Sequence, residues 1–179
     1  MTGRHYSGRV IIREERATDW PQIFPFFHRI VEDGETYAYS PDLDSAGAER
    51  LWTGQGRVVV AVEGDRVLGT ATMGPNRPGR GSHVATGSFM VDPDAAGQGV
   101  GKALGRHLVE WATRERFSAI QFNAVVETNA PAVRLWQSLG FRIIGTVPKA
   151  FDSRRHGLVG LHVMWRPLSP AGDERRLAL

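Results

Sequence analysis

The sequence predicts a mixed α/β fold. A central mixed sheet of about seven strands carries helices on its faces, in the order β-α-α-β-β-β-α-β-α-β-β. Three observations lead there. Short β-branched runs such as "RVVVAVEGDRVLGTATMG" read as paired strands. Apolar residues at helical spacing, such as Val100, Leu104, Leu108, Trp111 and Ala112, mark amphipathic helices. Adjacent strands near the start and end, with two helix crossovers between them, require both antiparallel and parallel neighbours.

Each element has a local reason. "RVIIREER" (9–16) is a strand that runs into charge, and 18–34 is a helix with Thr18 or Asp19 as cap, a break or kink at Pro25 and a stop at Gly34. A short helix follows at 45–54. Two strands within 57–74 meet at the Gly64-Asp65 turn. The next strand, 82–93, contains Gly87, which in a strand marks a bulge. A helix to about residue 114 and a strand at 118–127 come next. The helix 129–141 shows its punctuation: Asn129 as N-cap, Pro131 in the first turn and Gly140 as stop. Strands at 141–151 and 157–168 close a single domain over 9–168, with residues 1–8 and 169–179 expected to be loose.

Composition narrows the function classes. The chain has 179 residues, 41% hydrophobic and 23% charged, with a net charge of +3 and no cysteine. Disulfides, thiolate metal sites and a cysteine nucleophile are excluded. No apolar run reaches the roughly 18 residues of a membrane span, and the start has no signal-peptide pattern, so a cytoplasmic soluble protein is expected. The arginines are scattered in loops and near the ends, as at Arg4, Arg9, Arg77, Arg80, Arg154, Arg155, Arg175 and Arg176, without the basic stripe of a nucleic-acid binder. The six histidines have no metal-ligand spacing, and no metal site is predicted.

The stretch "DPDAAGQGVGKALG" concentrates the chemistry. Glycine disfavours helix by about 1 kcal/mol relative to alanine, yet Gly97, Gly99 and Gly101 alternate where a helix begins. A P-loop is excluded, because Ala96 and Ala103 stand where its first glycine and its hydroxyl belong. A dinucleotide fingerprint is a near miss, with Leu104 in place of the third glycine. The arrangement reads as an anion cradle. Unpaired amides at a helix N-terminus attract phosphate, glycines let it approach, and Gln98 and Lys102 add donors. A strand running into such a turn suits coenzyme A, a pyrophosphate carrying an amide-rich arm.

Two motifs then resemble the GNAT superfamily of acyl-CoA-dependent N-acyltransferases. "FMVDPDAAGQGVGKAL" is similar to its strand followed by [QR]-x-x-G-x-[GA], with Ala96 at the first position and Gly99 and Gly101 at the small ones. "NAPAVRLWQSLGF" is similar to N-x-x-A-x-x-L-Y-x-x-x-G-F, with Trp136 at the tyrosine position. The likeness covers about 9–168 and extends to small-molecule enzymes of the azetidine-2-carboxylate and phosphinothricin types. It implies acetyl-CoA as acyl donor and a small-molecule amine, an amino acid or analogue, as acceptor. Neither nucleic acid nor membrane is an expected partner, and a homodimer is common for the fold.

The resemblance also implies roles. The backbone of Phe89, Met90 and Val91 would hold the acyl-pantetheine arm, with the Met90 N–H as oxyanion donor. A bulge near Gly87 to Phe89 would splay this strand from the one bearing Asn123. Ala96, Gly97, Gln98, Gly99, Val100, Gly101 and Lys102 would hold the diphosphate, with Asn129, Ala132 and Trp136 beside the arm. Asn129 serves equally as a helix cap. Deprotonation of the amine needs a carboxylate: Glu127 at a strand end, or Glu32, Asp33 or Glu35 in the first inter-helix connection. Indole cannot act as an acid. The thiolate therefore leaves unassisted, or Tyr37 or Tyr39 supplies a proton; Tyr6 lies outside the domain. Glu35, Tyr39, Thr86, Asn123 and Phe151 are candidates for the acceptor pocket, as is His83. The yeast-type pattern has asparagine where Thr86 stands. Competing readings are acetylation of protein N-termini or lysines, a non-catalytic acyl-CoA-binding module, and a dinucleotide-binding module.

Overall fold

The computed structural model describes residues 10–168. The expected loose ends, with Arg4, Tyr6, Arg175 and Arg176, lie outside the described residues, as does Arg9 at the start of the predicted first strand. The elements run β1 (Ile11–Glu14), α1 (Trp20–Asp33), α2 (Ser45–Thr53), β2 (Arg57–Glu63), β3 (Arg66–Pro75), β4 (Val84–Val91), α3 (Val100–Arg114), β5 (Ala119–Val126), α4 (Ala130–Ser138), β6 (Arg142–Ser153) and β7 (Gly157–Pro167). The seven strands form one sheet in the order β1-β2-β3-β4-β5-β7-β6. Among the described residues, only β4 and β5 pair in parallel. The predicted fold class and element order are those observed.

Two helix faces cover the sheet. On one, α1 and α2 bury Ile23, Phe27, Trp52 and Met90. On the other, α3 and α4 bury Leu104, Leu108, Phe122 and Trp136. Strand alternation divides β4 between these cores: Met90 packs toward α1 and α2, and Phe89 packs on the α3/α4 side.

Two local expectations need correction. Of the two alternatives at Pro25 the break is ruled out, because helix α1 runs on through the proline and ends at Gly34, whose φ of 71° suits a glycine C-cap. Phe26 and Phe27, buried beside the proline, anchor this part of the helix. At its start, Asp19 makes no side-chain cap bond. Its carboxylate accepts from Arg13 Nη1 at 2.7 Å and Nη2 at 2.8 Å instead. The second correction concerns the bulge. The β3–β4 register is unbroken from Gly69–Val91 to Pro75–Ala85, so Gly87 sits in a regular strand. The irregularity lies in β5, between Phe122 and Val125 opposite β7.

Candidate active site

β4 and β5 pair only at Val84–Ala119 and Ala85–Ile120. Beyond Ala85 the two strands diverge, and a cleft of about 970 Å³ opens between them. The expected splay is present, with its bulge on the other strand. An aromatic wedge fills the base of the fork. Phe89 of β4 and Phe122 of β5 each lie 4.7 Å from Trp136 of α4, ring centre to ring centre. Trp136 is only 6% exposed, and Phe141 stacks on Phe122 at 4.4 Å. The chain makes room for the indole at Gly105, where a Cβ would stand 2.9 Å from Trp136 Cζ3 and 2.5 Å from Leu139 Cδ1.

The backbone of β4 has two edges. Asp92 N–H donates to Leu68 O at 2.9 Å, so the even-numbered residues face β3. Phe89 faces the cleft: its N–H donates to Tyr37 Oη at 2.9 Å, and its carbonyl accepts from that hydroxyl at 2.6 Å. Met90 is paired with Thr70 of β3. Its amide therefore points away from the cleft, which removes it as an oxyanion donor, and its buried side chain belongs to the core. The cleft-facing amide at this height is that of Phe89.

Phe89, Met90, Val91, Asn129, Ala132 and Trp136 line the cleft, as do Tyr37, Tyr39, Thr86, Asn123 and Phe151. Asn129 also caps α4, its Oδ1 accepting from Ala132 N at 3.3 Å. Asn123 is held by Asn76, to whose Oδ1 it donates at 2.6 Å. Burial, reinforced by the neighbouring Tyr39, raises the Tyr37 phenol well above its ordinary value. With its proton already donated to Phe89 O, Tyr37 in this position is a poor acid for a thiolate.

Two predicted carboxylates stand elsewhere. Glu127 accepts from the Gly160 N–H of β7 and is absent from the cleft lining. Glu35 fastens the β6–β7 turn, accepting from Ser153 Oγ at 2.6 Å and Arg155 N at 2.9 Å. The Ser153 bond, then the Arg155 amide and charge, lower the Glu35 carboxyl below its ordinary range. With Arg155 Nη2 on Asp33 Oδ1 at 2.8 Å and Arg154 Nη1 on Glu32 O at 2.6 Å, these contacts strap the hairpin to the end of α1. The carboxylates that do line the cleft are Glu32 and Asp33. His83 sits at the closed end of the seam, where its carbonyl accepts from Ser118 N at 2.8 Å, away from the cleft.

Val91 leads through a short turn to the glycine stretch. Gly97 and Gly99 both have φ of 79°, a left-handed conformation with open space where a Cβ would be. Gly101 serves packing, since a Cβ there would lie 3.2 Å from Leu135 Cδ2. The first intrahelical bond runs from Ala103 N to Gly99 O at 3.0 Å, so the amides of Val100, Gly101 and Lys102 precede any intrahelical acceptor. The adjacent Asp92 and Asp94 are paired with Arg29, and Asp92 also with Arg66 at 3.0 Å. Ala96 and Gln98 complete this surface turn beside the end of the cleft.

A profile of the acetyltransferase (GNAT) family matches residues 17–141. The chain belongs to the GNAT family. It is 36% identical over 90 residues to N-acetyltransferase aca1 of Schizosaccharomyces pombe, a match spanning 50% of this chain and 43% of that protein. The chain thus spans under half of that relative's length. It is 30% identical over 147 residues to the L-amino acid N-acetyltransferase AaaT of Escherichia coli, covering 78% of this chain and 87% of that one. A GCN5-related N-acetyltransferase from Kribbella flavida superposes with a TM-score of 0.85 at 59% identity, over 89% of this chain and 98% of that chain. A phosphinothricin acetyltransferase from Sinorhizobium meliloti, in complex with AcCoA, shares the fold with a TM-score of 0.78 at 24% identity, over 89% of each chain. Acetyl-CoA as co-substrate fits this family membership.

The structure of this GNAT protein also brings in residues that sequence reasoning did not single out for the cleft. Arg29, Thr36, Ser88 and Arg154 line it. Arg29 arrives because it reaches Asp92 and Asp94 across 63 and 65 positions of chain, and no spacing pattern carries such a pairing. Among the described residues, no helix is long and apolar enough to cross a membrane.

Proposed function

We propose that this chain transfers the acetyl group of acetyl-CoA to the amine of a small molecule, an amino acid or analogue, by direct attack. The forked seam carries the reading. A strand edge without β5 pairing past Ala85 leads through a short turn to a helix N-terminus with open amides. An extended, amide-bearing arm ending in a diphosphate complements both parts. The amino-acid acceptor is supported by the L-amino acid N-acetyltransferase relative and by the strap joining the cleft's two walls, which favours compact acceptors over chains.

In this scheme the arm lies along Phe89 and Val91, and the amides of Val100, Gly101 and Lys102 hold the diphosphate with the Gln98 and Lys102 side chains. The Phe89 N–H polarises the acyl carbonyl, a placement worth several kcal/mol when preorganised. An ammonium with a pKa of about 10 must lose its proton before it attacks. Glu32 takes that proton, since Asp33 is ion-paired with Arg155 and Glu127 and Glu35 are engaged elsewhere. The nitrogen bonds to the acyl carbon, the C–S bond breaks, the sulfur leaves as a thiolate, and the extra proton on the new amide nitrogen passes to solvent. A thiol pKa of about 8.5 makes that departure feasible without an acid. Thr86, Asn123, Tyr39 and Phe151 shape the acceptor end.

Thiol release measured across amino acids, simple amines, peptides and proteins tests the proposal. Turnover with free amino acids is the expected result. Turnover with peptides or proteins alone would transfer the reading to protein acetylation. Tight acetyl-CoA binding without turnover on any amine would make the chain a binding module, and binding of NADH in place of acetyl-CoA would overturn the reading of the glycine turn.

A further inference from the structure

The Tyr37 hydroxyl makes an unusual pair of bonds. It accepts from the Phe89 N–H at 2.9 Å and donates to the Phe89 carbonyl at 2.6 Å. Both partners belong to one residue, on the edge of β4 that has lost β5. In a sheet, those two groups form one rung of a ladder with a neighbouring strand. A single side-chain oxygen therefore fills a whole rung in the open part of the seam. The ring that carries it packs among other aromatic rings. It stacks on Tyr39 at 5.2 Å and meets Trp52 edge-on at 6.2 Å, inside the core built by α1 and α2. Tyr37 comes from the α1–α2 connection, whose Thr36 and Tyr39 form a wall of the same cleft.

We propose that Tyr37 is a place-holder: its hydroxyl occupies the Phe89 rung that the acyl end of the donor takes, and yields it when the donor binds. The inference rests on the reading that the donor's arm lies along β4. Phe89 N–H cannot give its full strength to the Tyr37 oxygen and to an acyl oxygen at once, because a backbone amide has one proton. Ligand-free, the hydroxyl keeps both Phe89 groups paired, as buried polar groups require. Donor binding then shifts the segment that also contacts the acceptor, so filling the first site reshapes the second. Tyr37 is in this sense a positioning residue that acts through the Phe89 backbone.

Two measurements test this. Calorimetry compares wild type and Tyr37→Phe for acetyl-CoA and for ADP, which has the diphosphate without the arm. Removing one competing hydrogen bond is expected to tighten acetyl-CoA binding by about fivefold, with ADP binding unchanged. Equal or weaker acetyl-CoA binding by the folded variant overturns the place-holder. NMR of wild type labelled at tyrosine Cζ supplies a second readout should the variant fail to fold. With three tyrosines in the chain, assignment is direct. The Tyr37 signal is expected to move with acetyl-CoA and stay put with ADP; a signal indifferent to acetyl-CoA overturns the proposal. A wild type that binds no acetyl-CoA overturns the donor reading itself, whereas normal wild-type binding without the Tyr37 effects overturns the place-holder alone.

Discussion

The two edges of β4 behave in opposite ways. Toward β3 the register holds through seven consecutive pairs, and toward β5 it stops after two. One strand thus serves as a core ladder on one side and as an edge without strand pairing on the other. The difference arises outside β4. The regular β3–β4 ladder has no bulge, while β5 is irregular after Phe122, and the Trp136 indole packs on both Phe89 and Phe122, whose rings also meet edge-on. Opening a seam costs backbone hydrogen bonds. Here an aromatic wedge beneath and a tyrosine hydroxyl above compensate for part of that loss. A cleft can therefore be built as a controlled failure of pairing within a single sheet.

The largest effect should come from removing the wedge. Trp136→Ala is expected to destabilise the protein by about 3–5 kcal/mol, read from chemical denaturation. A loss below about 1 kcal/mol would show that the fork stands without it. Next comes chemistry in the open seam. Glu32→Gln should lower kcat/KM by about 100-fold, with stability unchanged and with the acid limb of the pH–rate profile lost. A wild-type profile in that variant would exclude Glu32 as the base. Where the seam runs out, Lys102→Glu should weaken acetyl-CoA binding by about tenfold at low salt, and the difference should shrink as salt rises. A salt-independent effect would point to a packing role for Lys102.

The smallest effect concerns the strap that bridges the cleft's walls. Glu35 has its carboxyl lowered from 4.5, first by Ser153. A group depressed in the folded state contributes stability above its unfolded pKa and loses it as the pH falls through the folded one. Ser153→Ala should therefore be less stable than wild type at neutral pH. The gap should narrow below about pH 4.5, as wild type loses the Glu35 interaction, and the part due to the His156 N–H bond to Ser153 Oγ at 3.0 Å should remain. Denaturation curves at neutral and acidic pH decide the matter, and a gap that persists unchanged in acid would mean that Glu35 is not its source.

Much of this arrangement was legible in the sequence. Gly64-Asp65, Asn129 and Gly140 act through local backbone preferences, and each stands where its punctuation predicts. The glycine turn was recognisable too, although its residues divide into left-handed positions at 97 and 99 and a packing position at 101. The break that Pro25 suggested does not occur, because the proline's local penalty is outweighed by the buried aromatic face around it. Met90 misled because its apolar character is visible in sequence, while the edge toward which its amide points depends on strand register. Glu127 and Glu35 misled because a carboxylate's role depends on its nearest donor, which for these two is a distant stretch of chain at Gly160 and at Ser153.

By itself, the sequence determined the kind of each element, the order of the elements, and the helix N-terminus suited to an anion. These follow from interactions between residues a few positions apart, whose energies are set locally. Only the tertiary structure decided which amide of β4 faces the cleft, which carboxylates reach it, and that Tyr37 covers Phe89 across 52 positions of chain. Those outcomes depend on register, on the strand bulge and on contacts between distant segments, and no local preference encodes them.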